Sequence, residues 1–163
     1  KEEDSANNVS EEDMKKALLM WTMGAGNSAR RFNYEDPMPE KTEVAKPWGN
    51  PLDVYVSMPQ DFYLTARQMD IIRYGHIPDA MEDHWYMYCD DNAIHYLRSW
   101  AGFHIFEAHY EENGDEYRIT ELRVNNNPDE YRLSDAESAT ALFYALLISE
   151  YGGDASAYWN AVL

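Results

Sequence analysis

Apolar and polar positions change period along this chain, and each change marks an element. Met14, Ala17, Leu18 and Trp21 recur at helical spacing behind Ser10 and Asp13, which suit an N-cap and an acidic first turn, and Gly24 and Gly26 end that pattern. The preceding residues, 1–9, are polar and expected to be disordered. From Ala29 to Pro59 periodicity fades among Pro37, Pro39, Pro47, Pro51 and Pro59, predicting a long irregular connection, either a lid or a mobile excursion. Within it Val54, Val56 and Met58 alternate with Asp53, Tyr55 and Ser57, the pattern of one short strand over Leu52–Met58. Thr65 and Gln68 form a capping-box pair that opens a short helix with Met69 and Ile72 facing the core and Gly75 at its end.

Beyond Pro78 the period drops to two. His84–Cys89, Ala93–Arg98, Phe103–Glu111 and Tyr117–Val124 read as four successive strands with short turns, of which Asn113-Gly114 is the clearest hairpin signal. Ser134 with Glu137 then forms a capping box, and Ala139, Leu142, Phe143, Leu146 and Leu147 mark an apolar helix face that stops at Gly152-Gly153. The tail with Tyr158, Trp159, Val162 and Leu163 is apolar enough to pack back. The expected fold is α+β: a mainly antiparallel, four- to five-stranded meander sheet with helices packed largely on one face.

Composition narrows the function classes. At 163 residues and 45% hydrophobic the chain suits a single domain spanning 1–163. Its net charge of −17 repels phosphate backbones and anionic lipid, so neither nucleic acid nor a membrane is an expected partner. One cysteine, Cys89, permits no internal disulfide, which agrees with a reducing, cytoplasmic setting; its apolar strand suits a buried thiol better than a nucleophile. No apolar run reaches the ~20 residues that span a bilayer. Gly24-Ala25-Gly26-Asn27-Ser28 follows a helix and lacks a third glycine, so it reads as a C-cap and not a phosphate loop.

Candidate chemistry concentrates between Glu82 and Tyr110, where aromatics, histidines and one arginine crowd together. Alternation places His84, Tyr86 and Tyr88 on one face and Trp85, Met87 and Cys89 on the face toward the helices. It likewise sets His95, Leu97 and Ser99 against Ile94, Tyr96 and Arg98, and His104, Phe106, Ala108 and Tyr110 against Phe103, Ile105, Glu107 and His109. Arg98-Ser99-Trp100-Ala101-Gly102 is the leading site: a guanidinium grips an anion with two hydrogen bonds, and an indole offers a flat surface. The structural alternative pairs Arg98 with Asp83 or Glu107. His84, His95, His104 and His109 match no metal-ligand motif, so no metal and no cofactor is assigned; hydrogen-bonded neutral imidazoles account for them. Asp83, His84 and Ser99 lack the setting of a hydrolytic triad, and Glu111, Glu112, Asp115 and Glu116 match no calcium loop.

Asp83-His84-Trp85-Tyr86-Met87-Tyr88 and His95 to Glu107 resemble an uncharacterised bacterial family with the patterns D-(K/H)-W-(F/Y)-x-Y and H-x-R-S-W-T-G-x-x-I-(F/Y). Ala101 stands at the pattern's threonine, and Tyr96-Leu97 alters the spacing before Arg98. The resemblance implies a nucleotide-sugar context, because such segments accompany ADP-ribose-processing modules, and it brings no catalytic residue. The expected function is a noncatalytic binding module in which Arg98, Trp100, His84, Trp85, His95 and Ser99 hold a small anionic or nucleotide-like ligand, or dock a protein. One alternative is a hydrolase of phosphorylated or ADP-ribosylated substrates with His84 as base beside Asp83 and Arg98 stabilising charge. Another is an acidic, immunity-type interaction protein that meets a basic partner.

Overall fold

A computed structural model describes residues 41–132 and 135–162. The expected polar stretch 1–9, the helix from Ser10 with its glycine cap, and the first part of the 29–59 connection lie outside the described residues.

Alternation does build the sheet, though not always where the pattern placed it. Strand β1 is Tyr55–Thr65 and not Leu52–Met58: Val56, Met58, Gln60, Phe62 and Leu64 are buried in turn, so the period-two pattern runs straight through Pro59. Proline is tolerated because β1 is an edge strand and its register with the neighbouring strand shifts between Pro59 and Phe62. Thr65 then caps helix α1, Ala66–Tyr74, with the reciprocal Gln68 bonds of a capping box, and Gly75 ends it at φ 81°.

Strands β2 (Trp85–Cys89), β3 (Ala93–Arg98), β4 (His104–Asn113) and β5 (Glu116–Asn125) form the antiparallel meander, and β1 adds to β5, giving the order β1-β5-β4-β3-β2. Helix α2, Ala136–Glu150, is capped by Asp135, whose Oδ1 accepts the Ser138 N–H at 2.7 Å. The expected cap, Ser134, lies outside the described residues. Helix α3, Ser156–Val162, returns the tail to the core through buried Tyr158.

The helices lie against one face of the sheet. Trp85, Met87, Ile94, Tyr96, Phe106 and Leu122 share a core with Phe143, Tyr144 and Leu147 of α2. Phe143 meets Tyr96 and Phe106 edge to face, and Tyr144 stacks on Phe62 at 4.4 Å while its hydroxyl donates to Gln60 Oε1 at 2.7 Å. Each such aromatic pair contributes roughly 0.5–1.5 kcal/mol beyond its area.

The described part of the connection is docked, with its backbone tied to both ends of the sheet. The Ala45 N–H donates to Tyr74 O, Asn50 N–H to Gly102 O at 2.9 Å, and Asn126 N–H to Val54 O. Gly49 is at φ 92°, and a Cβ there would fall 2.4 Å from Leu97 Cδ2 and 3.0 Å from the Gly102 carbonyl, so a larger residue is disfavoured both by the backbone and by the Leu97 side chain. This segment therefore covers part of the face that the helices leave open. Among the described residues no helix is long and apolar enough to cross a membrane.

Candidate functional site

The two halves of the sequence motif meet across β2 and β3. Trp85 and Arg98 are register partners, and the Arg98 guanidinium carbon lies 4.5 Å from the centre of the Trp85 ring. The Trp85 N–H points at Asp83 Oδ1 at 3.4 Å, and the Ser99 hydroxyl donates to the Asp83 carbonyl at 2.6 Å. Asp83, Trp85, Arg98 and Ser99 thus brace one end of the hairpin. Arg98 makes neither of the expected ion pairs: the Asp83 carboxylate bonds His76 Nε2 at 2.7 Å, and Glu107 is held by His109 and Arg123. The acid, base and nucleophile considered at Asp83, His84 and Ser99 are not assembled. His84 is exposed, and its backbone carbonyl accepts the Ser99 N–H at 3.0 Å.

The β3–β4 turn presents Trp100 outward. Its φ is +67°, a region that bulky side chains rarely enter and that stores of order 1–3 kcal/mol. The Trp100 side chain is 62% exposed. It lines a cleft of about 290 Å³ with Trp48, Ile77, Pro78, Tyr86 and Ser99. Trp48 and Tyr86 pack at 5.0 Å between ring centres, and the Tyr86 hydroxyl is fixed by donating to the Lys46 carbonyl at 2.7 Å. The cleft is therefore aromatic on both sides, and among the described residues no cationic side chain lines it.

A second cavity, of about 360 Å³, opens on the helix side between Lys41, His76, Asp83, Trp85, Tyr96 and Glu150. Its polar wall is a chain of polar contacts: Asp83 to His76, His76 Nδ1 to Glu150 Oε1 at 3.4 Å, and Glu150 to Lys41. Burial lowers the Lys41 ammonium to about 8.

His95 belongs to neither cavity. It stacks on Tyr88, 4.5 Å between centres and 14° between planes, and is buried with His104 on the face opposite the helices. Strict alternation put His104 with Phe106, away from Glu107. The register shifts between Tyr96 and Leu97, so that Tyr96 faces Phe106 while Leu97 faces His104. This bulge turns His104 to the side of His95 and Glu107. His95 Nδ1 is 3.0 Å from His104 Nε2, and Glu107 Oε1 is 3.7 Å and 3.8 Å from those two nitrogens. Burial, the largest influence, holds the His104 imidazolium below its ordinary range despite the bond to the Asn50 carbonyl.

The six candidate residues therefore separate. Ser99 and Trp100 line the cleft, Trp85 and Arg98 stack on the helix side, His95 joins a histidine cluster and His84 faces solvent. Trp48, Tyr86, His76, Asn50 and the set of His104 with Glu107 were not grouped by sequence pattern. For Trp48 a local signal existed, because Pro47-Trp48-Gly49-Asn50-Pro51 brackets an indole with rigid residues. Comparison of the chain with protein-family models, curated proteins and solved structures gives no match.

Proposed function

We propose that this protein is a noncatalytic binding module whose site is the cleft between Trp48, Tyr86 and Trp100. The observation that carries this reading is Trp100 itself. A large apolar side chain is held in solvent by a backbone conformation that disfavours it, and such strain persists where a side chain must be presented. Two indoles and a phenol suit the flat face of a ring, and aromatic stacking contributes roughly 1–3 kcal/mol per base. With Arg98 stacked on Trp85 and no cation among the described lining residues, the anionic part of the expected ligand loses the partner expected for it. The ring part remains, so the ligand class is a nucleoside or a sugar.

A second reading is a protein partner that inserts a proline or aromatic side chain. It draws on Trp48, Ile77 and Trp100 being exposed together, since partly exposed tryptophans in a pocket form the centre of many interfaces. Membership of the uncharacterised family with the D-(K/H)-W and R-S-W motifs is proposed on the same residues. The mutual contacts of Asp83, Trp85, Arg98 and Ser99 support it by giving the motif one structural task, and the family's nucleotide-sugar context agrees with a nucleoside or sugar ligand.

The test is a thermal-shift screen of nucleosides, mono- and disaccharides and proline-rich peptides on wild type and Trp100→Ala. A rise in melting temperature with a nucleoside or sugar that the variant loses supports the first reading, and a rise with peptide alone supports the second. A shift that persists unchanged in Trp100→Ala contradicts both.

A further inference from the structure

We propose that His95 Nδ1, His104 Nε2 and Glu107 Oε1 bind one divalent transition ion of the zinc class, a site separate from the aromatic cleft. These three atoms lie within 4.8 Å of one another. Their separations of 3.0, 3.7 and 3.8 Å bracket the edge of a tetrahedron around zinc, roughly 3.4 Å for ligands about 2.0–2.1 Å from the ion.

The outward hydrogen bonds say what the inward atoms are. His104 Nδ1 faces the Asn50 carbonyl at 3.0 Å, and a carbonyl only accepts, so Nδ1 carries the proton and Nε2 of the neutral ring is a lone pair. His95 Nε2 faces Asp90 Oδ2 at 2.8 Å, so Nε2 carries the proton there and Nδ1 of the neutral ring is again a lone pair. Glu107 Oε1 adds a carboxylate oxygen. Three electron-pair donors thus converge on one point with no hydrogen among them. Such a centre is completed either by an added proton, which makes one histidine an imidazolium, or by a cation.

The surrounding shell fits a cation. Histidine ligands characteristically give their second N–H to a carboxylate or a backbone carbonyl, which is what Asp90 and Asn50 accept here. The other oxygen of Glu107 is held by His109 Nε2 at 2.6 Å and faces the Arg123 guanidinium at 3.5 Å. Each proposed ligand is therefore oriented from behind. Two imidazoles with one carboxylate suit zinc and its first-row neighbours over magnesium or calcium, which prefer oxygen alone. Three protein ligands leave a fourth position for water or an exogenous ligand.

The experiment titrates the chelator-stripped full chain with Zn²⁺, with Co²⁺ as a spectroscopic substitute and Mg²⁺ as a control for the acidic surface. The proposal expects one equivalent of Zn²⁺ to bind and raise the melting temperature, and Co²⁺ to give the intense visible bands of a four-coordinate site. Asp90→Asn, at an exposed position that should leave the fold intact, is expected to weaken Zn²⁺ binding about 10- to 100-fold, and Glu107→Gln at least as much. Metal-free melting curves of both variants separate loss of ligand from loss of fold. Three results would overturn the proposal: no stoichiometric Zn²⁺ binding, binding matched by Mg²⁺ and unchanged in both variants, or imidazole nitrogen spectra showing His95 doubly protonated in excess Zn²⁺. None of them bears on ligands of the cleft.

Discussion

The Arg98 guanidinium lies 4.5 Å above the Trp85 ring, so its flat face is already covered by an indole. On this geometry Arg98 is a packing residue of the β2–β3 pair. Arg98→Ala is expected to lower stability by about 1 kcal/mol through the lost stacking contact, and to leave ligand affinity in the cleft at the wild-type value. Chemical denaturation and a ligand titration on the same variant check the two parts. A variant with unchanged stability and lost binding would restore Arg98 as an anion ligand.

Trp100 leads to the opposite expectation. Glycine adopts φ near +67° without strain, so Trp100→Gly should be as stable as wild type or more stable, by up to about 1 kcal/mol. The same change removes one wall of the cleft and should weaken ligand binding by tenfold or more, the equivalent of about 1.4 kcal/mol of stacking. Denaturation midpoints and affinities measured side by side test this. A Trp100→Gly protein that is markedly less stable would show that the indole serves the fold.

How far the sequence disclosed this depended on whether local pattern met a local structural cause. Thr65 with Gln68 and Gly75 act through neighbours in sequence, and each stands where its residue type demands. The hairpin signalled by Asn113-Gly114 also forms, but its two loop residues are Gly114, at φ 69°, and Asp115, while Asn113 closes β4 opposite Glu116 and keeps a negative φ. Pro59 misled because proline reads as a loop, while an edge strand with a register shift absorbs it. His104 misled for a related reason: one bulge between β3 and β4 reverses which face a side chain takes, and nothing in the alternation marks it. The cleft needed Trp48 to meet Tyr86 and Trp100, contacts between distant segments that no spacing rule encodes. His76 and Glu150 came together from different helix ends in the same way.

Cys89 gives a prediction about reactivity. Burial pushes its thiol up to about 12, with Arg73 the main opposing charge, and Sγ is directed at the Ile72 carbonyl at 3.5 Å. The thiolate is the reactive form, so folded protein should resist a thiol reagent at pH 8 and react only on unfolding. The raised value also means that the folded state holds this proton where an unfolded chain has released it, so the thiol's contribution to stability declines as pH climbs from about 9 toward 12. Labelling with and without denaturant checks the first point. Rapid modification of native protein at pH 8 would contradict it.

The most direct measurement of the central claim is the indole N–H spectrum of ¹⁵N-labelled protein during titration with a nucleoside or sugar identified in the screen. A ligand in the cleft shifts the Trp48 and Trp100 signals together and leaves Trp85, which lies on the helix side, in place. Movement of Trp85 with Trp48 and Trp100 unmoved would contradict the account and send the search to the cavity between His76 and Glu150.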